Sequence, residues 1–230
     1  MTLGQESLEG SPLKRPRYSD YNEKIKKQIH EKYDLIAGID EVGRGPLAGP
    51  VVACAVIMKK DSDIKDVTDS KKLSKKKMKD LYGKIKSESI AYAFGYANNR
   101  LIDKINIKNA THYAMEMALN NLKTKPQIVL IDAERINTDI KQLNIVKGDL
   151  YEYSISAASI LAKVKRDKIM ENFAKIYPYY SFESNAGYGT KKHYEGLEKY
   201  GECPIHRQSF LKKFHQRQLS FLWQKLKKEK

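Results

Sequence analysis

Three aspartates lie beside buried segments of the chain, where carboxylates can bind divalent metal ions. Asp40 and Asp132 each end an apolar run, and Asp149 precedes a long helical pattern. Ligands of open α/β sheets gather at the carboxyl ends of the strands, so we expect these acids to meet at one edge. Close carboxylates repel one another unless a cation offsets their charge, and oxygen ligands of this type select Mg²⁺ or Mn²⁺ over Zn²⁺. The acids therefore predict a divalent metal site.

Glu41 and the glycines after it form a second group of candidate residues. Adjacent residues of a regular strand point to opposite faces. Asp40 and Glu41 can therefore share a site only if the strand ends or twists at Asp40, or if Glu41 acts partly through its backbone oxygen. Gly43 permits such an irregularity, and Gly43 and Gly45 let the backbone approach a phosphate or a sugar. Two ordinary roles stay open, because Asp149 can cap the following helix and the glycines can form a simple turn.

The composition indicates a globular, basic protein. The 230 residues are 41% hydrophobic and 31% charged, which excludes collagen-like, coiled-coil and low-complexity chains. The net charge of +15 is concentrated in segments 59–86 and 191–230, and it predicts a polyanionic partner such as nucleic acid. Solvated helix faces of a lysine-rich protein are the alternative. Without a secretory signal or a run of about 18 apolar residues, we expect no membrane association, a cytoplasmic location, and reduced thiols at Cys54 and Cys203.

The hydrophobic pattern predicts the elements that position these residues. Strands are expected over Leu35–Val42, Val51–Met58, Ser89–Ala97 and Gln127–Asp132, the first two forming a hairpin. Helices are expected from Asp20 to about Tyr33, after Ser74, over Asn106–Leu122 and Tyr153–Ile176, after Thr190, and from about Arg207 to Lys227. This order predicts an α/β domain with a mixed sheet and a helical C-terminal part. We divide the chain into a leader with a short helix, residues 1–33, and a domain over residues 34–230 whose helical end begins near residue 190.

A series of short blocks carries a family resemblance. The first block is Gly38-Ile39-Asp40-Glu41-Val42-Gly43-Arg44-Gly45-Pro46-Leu47-Ala48-Gly49-Pro50-Val51-Val52. Later blocks are Asp69-Ser70-Lys71-Lys72-Leu73, Ile131-Asp132, Lys147-Gly148-Asp149, Ser154 to Val164, Arg166-Asp167, Gly187-Tyr188-Gly189-Thr190 and His206-Arg207-Gln208-Ser209-Phe210. Together they resemble type 2 ribonuclease H, the ribonuclease HII family, over roughly residues 35–210.

The resemblance implies a fold and a set of metal ligands. It predicts a ribonuclease H-like fold, in which a mixed five-stranded sheet is flanked by helices and followed by a C-terminal helical region. The four acidic ligands of the family fall on Asp40, Glu41, Asp132 and Asp149. These acids would hold two Mg²⁺ or Mn²⁺ ions when substrate is bound.

The resemblance also implies substrate contacts. The run Gly43-Arg44-Gly45 matches the element that senses the 2′-OH of the ribonucleotide at an RNA to DNA junction. Tyr188 matches a tyrosine that packs on the neighbouring deoxyribose, although a core tyrosine is the alternative. Ser70 and Lys71 match a segment that contacts phosphate.

The implied activity is that of an endoribonuclease. It would hydrolyse the RNA strand of RNA/DNA hybrids and cut 5′ to single ribonucleotides embedded in duplex DNA. Two ions about 4 Å apart can activate a water and stabilise the leaving 3′ oxygen, so the products would carry 5′-phosphate and 3′-hydroxyl ends. The basic segments would grip the duplex backbone without reading its sequence. We expect a monomer that takes part in ribonucleotide removal from DNA.

Other functions stay open at this stage. Type 3 ribonuclease H shares the chemistry, but it usually has a larger N-terminal domain and lacks the Gly-Arg-Gly run. A hybrid-binding protein that no longer cuts would gain nothing from four acids facing phosphates. A nuclease of related fold that acts on plain DNA would not need Gly43-Arg44-Gly45. The chain departs from the family pattern at Ala133, often glycine, and at Ala186, often lysine.

Four further residues are expected to have structural roles. We expect Arg166 and Asp167 to hold their helix in place rather than to take part in catalysis. The spacing of His193 and His206 fits no zinc pattern, so a helix surface or the protein interior is the expected location.

Overall fold

The computed structural model describes residues 23–67 and 73–228, with side chains up to residue 220. The strands of this part are β1 (Ile36–Val42), β2 (Val51–Met58), β3 (Ser89–Ala97), β4 (Ile128–Asp132) and β5 (Lys141–Ile145). Its helices are α1 (Glu23–Lys32), α2 (Lys75–Glu88), α3 (Asn99–Asn120), α4 (Gly148–Tyr151), α5 (Tyr153–Ile176), α6 (Phe182–Asn185), α7 (Lys191–Tyr200) and α8 (Gln208–Lys228). A short 3-10 turn covers Pro178–Tyr180.

The five described strands form one mixed sheet in the order β3-β2-β1-β4-β5. The central strand β1 pairs antiparallel with β2 and parallel with β4, while β3 extends the antiparallel side and β5 the parallel side. The predicted hairpin and mixed-sheet α/β fold are therefore confirmed. The edge strand β5 has the sequence Lys-Gln-Leu-Asn-Ile and is mostly part-exposed, so it carries a weak apolar signal.

Helices cover both faces of the sheet. On one face α3 packs against strand residues that include Ile39, Ala53 and Ile131. On the other face α2 and α5 pack against residues that include Cys54 and Val56. A Cβ atom on Gly38 of β1 would overlap the backbone of α5 at Ser154, so this helix rests directly on the central strand. The close approach brings the first turns of α5 to the carboxyl end of β1.

The helical C-terminal part has an apolar cluster of its own. We call it the C-terminal cluster; its buried members are Leu47, Ala48, Met170, Tyr180, Phe182, Leu197, Cys203, Ile205 and Leu211. It joins α5, α7 and α8 to the turn between β1 and β2. The backbone N–H of Leu47 donates to Gly187 at 2.8 Å, and that of Gly49 donates to Ile205 at 2.9 Å. The turn after β1 is thereby fixed to the C-terminal part.

The helix boundaries agree with the predictions except in α3. Ser74 caps α2, as predicted, by accepting a hydrogen bond from the N–H of Lys77 at 3.3 Å. α3 begins at Asn99 rather than Asn106, because Asn98 caps an earlier helical segment. Asn106 has a φ of 66° and interrupts the helix between the two segments. The predicted cap Asp20 and the rest of residues 1–22 lie outside the described residues. Within the part that is described, no helix combines the length and the apolar composition needed to cross a bilayer.

Candidate active site

Asp132 ends β4, and Asp40 lies two residues before the end of the adjacent parallel strand β1. β1 and β4 pair in register as far as Ile39 and Ile131, so the two aspartates occupy the next position on each strand. Asp40 is 6% exposed. Burial, followed by the negative charges of Glu41 and Asp132, raises the pKa of Asp40 well above its usual value. The sheet therefore brings two of the predicted acids together where a cation would offset their repulsion.

Glu41 joins the same negatively charged centre without a break in its strand. β1 continues through Val42, so the strand does not end at Asp40. The Glu41 carboxylate accepts a hydrogen bond from Arg44 Nη1 at 3.3 Å, and its backbone N–H donates to Asp40 Oδ1 at 2.8 Å. Burial, with a further contribution from Asp132, raises the pKa of Glu41, although Arg44 acts in the opposite direction. Glu41 therefore interacts with Asp132 as Asp40 does.

Asp149 is placed next to Asp132 by the short helix α4. It is 7% exposed and lies in the first turn of that helix. The N–H of the preceding residue, Gly148, donates to Asp132 Oδ1 at 2.8 Å. The hydroxyl of Ser156 donates to the backbone oxygen of Asp149 at 2.7 Å. The alternative role of Asp149 as a helix cap is wrong, because Glu152 is the N-cap of α5.

The acids have the donor chemistry of a divalent metal site, but their side chains are not yet placed to coordinate one ion together. Over residues 23–67 and 73–228, no three His, Cys, Asp or Glu side chains are placed so that they could hold a metal ion. Glu41 is drawn to Arg44, and one oxygen of Asp132 accepts the Gly148 N–H. An all-carboxylate donor set still fits Mg²⁺ or Mn²⁺, and such an ion would offset the burial and the carboxylate repulsion that together raise the pKa of Asp40.

Arg44 is shared between two carboxylates. Its Nη1 atom lies 3.3 Å from Glu41 Oε1 and 2.9 Å from Glu134 Oε1. Glu134 also lies 3.0 Å from His112 Nε2 in α3. Burial alone would raise the pKa of Glu134, but hydrogen bonds from His112 and Arg44 bring it below its usual value. Glu134 and His112 could not be identified from the sequence, because no spacing pattern connects α3 with the turn after β1.

Tyr188 lies beside the Gly-Arg-Gly run. The tyrosine is 47% exposed, so the alternative of a core tyrosine is wrong. A Cβ atom on Gly45 would lie 3.4 Å from Cε1 of the tyrosine ring. Gly45 is itself exposed. The ring and the glycine run therefore form one accessible surface next to the acids.

His193 and His206 form a buried pair behind Tyr188. Their Nε2 atoms are 2.9 Å apart, and the N–H of Cys203 donates to His206 Nδ1 at 2.8 Å. His206 Nδ1 also lies 3.2 Å from the oxygen of Cys203, but the contact with the N–H is shorter, and a backbone N–H can only donate. His206 therefore carries its proton on Nε2 and donates to His193. His193 Nδ1 then donates to the backbone oxygen of Tyr188, 2.9 Å away. The interior position of both residues agrees with the structural role expected for them.

The two departures from the family pattern share an unusual backbone conformation. Ala133 and Ala186 have positive φ angles of 51° and 49°. Such angles favour glycine, so Ala133 holds a strained conformation at a position where the family pattern often has glycine. The N–H of Ala133 still donates to the backbone oxygen of Ile145 at 3.0 Å, which keeps the end of β4 in place. Ser70 and Lys71, the predicted phosphate contacts, lie outside the described residues.

Comparison with known sequences identifies the family. The sequence model described as Ribonuclease HII matches residues 37–213, more than half of the chain. The chain belongs to the ribonuclease HII family. It is 53% identical over 188 residues to the ribonuclease HII of Ligilactobacillus salivarius, covering 81% of this chain and 74% of that relative. It is 50% identical over 220 residues to the ribonuclease HII of Clostridioides difficile, covering 90% and 86%.

Solved structures of ribonuclease HII have the same fold. The ribonuclease H2 of Pyrococcus horikoshii aligns with a TM-score of 0.63 and 26% identity, covering 76% of this chain and 92% of that one. The ribonuclease HII of Archaeoglobus fulgidus, solved in a complex with PCNA, aligns with a TM-score of 0.65 and 24% identity, covering 76% and 94%. As a member of the ribonuclease HII family, the chain is a hydrolase that acts as an endonuclease on RNA/DNA.

Proposed function

We propose that the chain hydrolyses the RNA strand of RNA/DNA hybrids and also cuts 5′ to single ribonucleotides embedded in duplex DNA. The products would carry 5′-phosphate and 3′-hydroxyl ends. The observation that carries this proposal is the adjacency of Asp40 and Asp132 on parallel strands. Glu41 links these acids through Arg44 to a glycine turn, and Tyr188 lies beside that turn. The acids proposed to cut the strand are therefore adjacent to the glycine turn and Tyr188, which are proposed to contact the sugar.

The proposed metal ligands are Asp40, Glu41, Asp132 and Asp149. Bound Mg²⁺ or Mn²⁺ would polarise the phosphodiester and lower the pKa of a water molecule. The burial of Asp40 strengthens its attraction for a cation, because charges interact more strongly away from bulk water. Glu41 must exchange its contact with Arg44 before it can act as a ligand. The bond of 2.9 Å from Arg44 to Glu134 keeps the guanidinium in place during that exchange.

The glycine turn and Tyr188 are proposed to read the sugar. The 2′-OH is the group that distinguishes RNA from DNA at a given nucleotide, so it must be read by close donors or acceptors. Backbone groups of Gly43, Arg44 and Gly45 can come that close because the two glycines carry no side chain. The half-exposed ring of Tyr188 is then available to pack against the deoxyribose that follows. Ser70 and Lys71 remain proposed phosphate contacts.

The excess positive charge is proposed to grip the duplex backbone. The net charge is +15, and exposed lysines cover α2 at Lys75, Lys76, Lys77, Lys79 and Lys84. Contacts of this kind supply affinity without sequence information and weaken steeply as salt increases. They suit an enzyme that must find ribonucleotides at any position in DNA. We propose that it acts there as a monomer.

The test uses three duplexes of one sequence, incubated with Mg²⁺ or Mn²⁺. One duplex has a single embedded ribonucleotide, one is a full RNA/DNA hybrid, and one is plain DNA. We expect cutting of the first two and no cutting of the third. A labelled strand should show a cut on the 5′ side of the lone ribonucleotide, with a 3′-hydroxyl that a polymerase can extend.

The other functions would give different products. Cutting of the hybrid alone would indicate type 3 specificity. Binding of the duplexes without any cutting would indicate a hybrid-binding protein, and cutting of plain DNA would refute the proposed specificity. The same assay in increasing salt should show weaker binding, since the lysine contacts are screened.

A further inference from the structure

Two buried arginines face the turn between β1 and β2. Arg166 lies in α5 and Arg207 directly precedes α8, and both are fully buried. Together they donate seven hydrogen bonds of 2.6–3.3 Å, each to a backbone oxygen. The accepting carbonyls belong to Gly43, Arg44, Ala48, Gly49, Pro50 and Ala186. Nearly all of these hydrogen bonds therefore fix the turn that contains the Gly-Arg-Gly run.

The hydrogen bonds of Arg207 determine which way two peptide groups face. Its Nη2 donates to the oxygen of Gly43 at 2.6 Å, and its Nη1 donates to the oxygen of Arg44 at 2.9 Å. In a planar trans peptide, the carbonyl of one residue and the N–H of the next point in opposite directions. The described chain contains no cis peptide bond. The N–H groups of Arg44 and Gly45 therefore both point away from Arg207.

We propose that Arg166 and Arg207 are positioning residues for ribonucleotide selectivity. By holding the carbonyls inward, they turn the N–H groups of Arg44 and Gly45 outward as a pair of adjacent donors. Such a pair suits a single oxygen atom, which a 2′-OH supplies and a deoxyribose lacks. The ring of Tyr188 lies against Gly45, on the surface where that sugar would bind. This inference rests on the proposed function, because it assigns a cause to the selectivity proposed there.

The charge of the two arginines supports the same role. Buried cations are usually paired with carboxylates, yet all seven of these hydrogen bonds go to neutral carbonyl groups. Asp167 near Arg166 and Asp103 near Arg207 offset part of the charge. The remaining positive potential lies directly behind the turn. It would attract the sugar oxygen and the phosphate next to it.

The turn between β1 and β2 leaves room for the arginine side chains only because position 43 is a glycine. Gly43 has a φ of +94°, and a Cβ atom there would overlap the Nε of Arg166. A guanidinium presents several donors in a planar fork, whereas a lysine offers one nitrogen. A lysine at position 207 therefore keeps the charge but cannot reach Gly43, Arg44 and Gly49 together. The substitution Arg207→Lys separates the geometric contribution from the charge.

The experiment compares Arg207→Lys with Arg100→Lys, a matched change at an exposed position of α3 outside the two basic segments. Binding is measured with a chelator present, so that nothing is cut, on two duplexes that differ only in one 2′-OH. We expect the wild-type protein and Arg100→Lys to prefer the ribonucleotide duplex. In Arg207→Lys that preference should fall by up to about tenfold, which is the change in affinity expected when one hydrogen bond is lost. A folded Arg207→Lys protein that keeps the full preference would overturn the inference.

Two further measurements keep the inference testable if Arg207→Lys does not fold. Arg166→Lys should reduce the same preference, because it removes contacts to Ala48 and Pro50. In the wild-type protein, the amide signals of Arg44 and Gly45 should shift more with the ribonucleotide duplex than with its deoxy counterpart. Equal shifts would refute the paired-donor arrangement. Wild-type cutting at a lone ribonucleotide tests the proposed function separately, so failure of one is distinguishable from failure of the other.

Discussion

Asp132 at the end of β4 accepts a hydrogen bond of 2.8 Å from the backbone N–H of Gly148, which lies 16 residues further along the chain. Gly148 directly precedes Asp149, so this bond connects two of the proposed metal ligands through one peptide. Replacement by asparagine removes the charge of Asp132 and keeps a carbonyl oxygen that can accept the same bond. The variant Asp132→Asn therefore tests the charge alone.

We expect Asp132→Asn to abolish cutting and to leave duplex binding near normal. Metal ions contribute several kcal/mol to charge stabilisation, and each 1.4 kcal/mol corresponds to tenfold in rate, so turnover should fall by roughly a thousandfold. Single-turnover cutting and a binding titration give the two values. Asp139→Asn is the control, since this nearby carboxylate is exposed. Unchanged turnover in Asp132→Asn would remove Asp132 from the site.

We expect Arg44→Ala to weaken recognition of the ribonucleotide more than it weakens metal binding. Arg44 can donate a charge-assisted hydrogen bond to a phosphate, and its loss should raise KM by about tenfold or more. Metal affinity should not fall, because the variant frees Glu41 from its ion pair. Cleavage rates over a series of substrate and Mg²⁺ concentrations separate the two effects. Arg135→Ala, at an exposed position, is the control, and an equal loss of metal affinity in Arg44→Ala would contradict the assignment.

We expect Glu134→Gln to increase the metal concentration that the enzyme requires. The neutral amide holds Arg44 less strongly than the carboxylate does, so Arg44 would pair more tightly with Glu41 and compete with the metal ion. The half-saturating Mn²⁺ concentration should rise a few-fold, in line with a change of about 1 kcal/mol in one ion pair. The rate at saturating Mn²⁺ should stay near that of the wild-type protein. A lower saturated rate with unchanged metal dependence would show that Glu134 acts in another way.

We expect the folded state to lose stability below pH 6.5 because of the buried histidine pair. Burial, with the neighbouring His193, lowers the pKa of His206 from 6.5 to about 4. The unfolded chain therefore binds a proton that the folded chain does not, and the stabilisation present above pH 6.5 is lost as the pH falls towards 4. Between pH 7 and pH 5 this linkage amounts to about 2 kcal/mol in the free energy of unfolding. Urea unfolding at several pH values measures it.

The histidine effect has a direct check and a control. Groups facing the pair include Tyr180, which packs against both rings, and Glu202, whose charge acts on His206. The nitrogen signals of His206 should show a neutral imidazole at pH 5, with the proton on Nε2. In His206→Asn the dependence of stability on pH should be smaller. An imidazole that titrates near 6.5 would show that the buried pair is not held neutral.

Local sequence patterns were sufficient to place the central acids and most elements. Apolar runs before Asp40 and Asp132 predicted a strand at each of these acids, and the parallel register of β1 and β4 brings the two positions together. The predicted helix over Tyr153–Ile176 and the strand over Ser89–Ala97 match the structure at both ends. In α5 apolar residues recur three or four positions apart, and in β3 an aromatic ring stands at every second position from Tyr92 to Tyr96, and a single sequence is enough to reveal such spacing.

Contacts between distant parts of the chain could not be predicted in this way. Glu134 reaches Arg44 across 90 residues, and Arg207 reaches Gly43 across 164. Both contacts depend on how α3, α5 and α8 pack around the turn, which no local spacing encodes. The apolar pattern of the sequence did not predict β5, because a part-exposed edge strand has few apolar positions.

The acids and Tyr188 depend on different parts of the hydrophobic interior. Asp40 lies on the central strand between two helix-covered faces, whereas Tyr188 is supported by α7 and the C-terminal cluster. If the terminal helices unfold first on heating, the acidic centre stays folded after the support of Tyr188 is lost. Amide hydrogen exchange should then be faster in α7 than in β1. On warming, the enzyme should lose its preference for ribonucleotide sites before it loses its cutting activity.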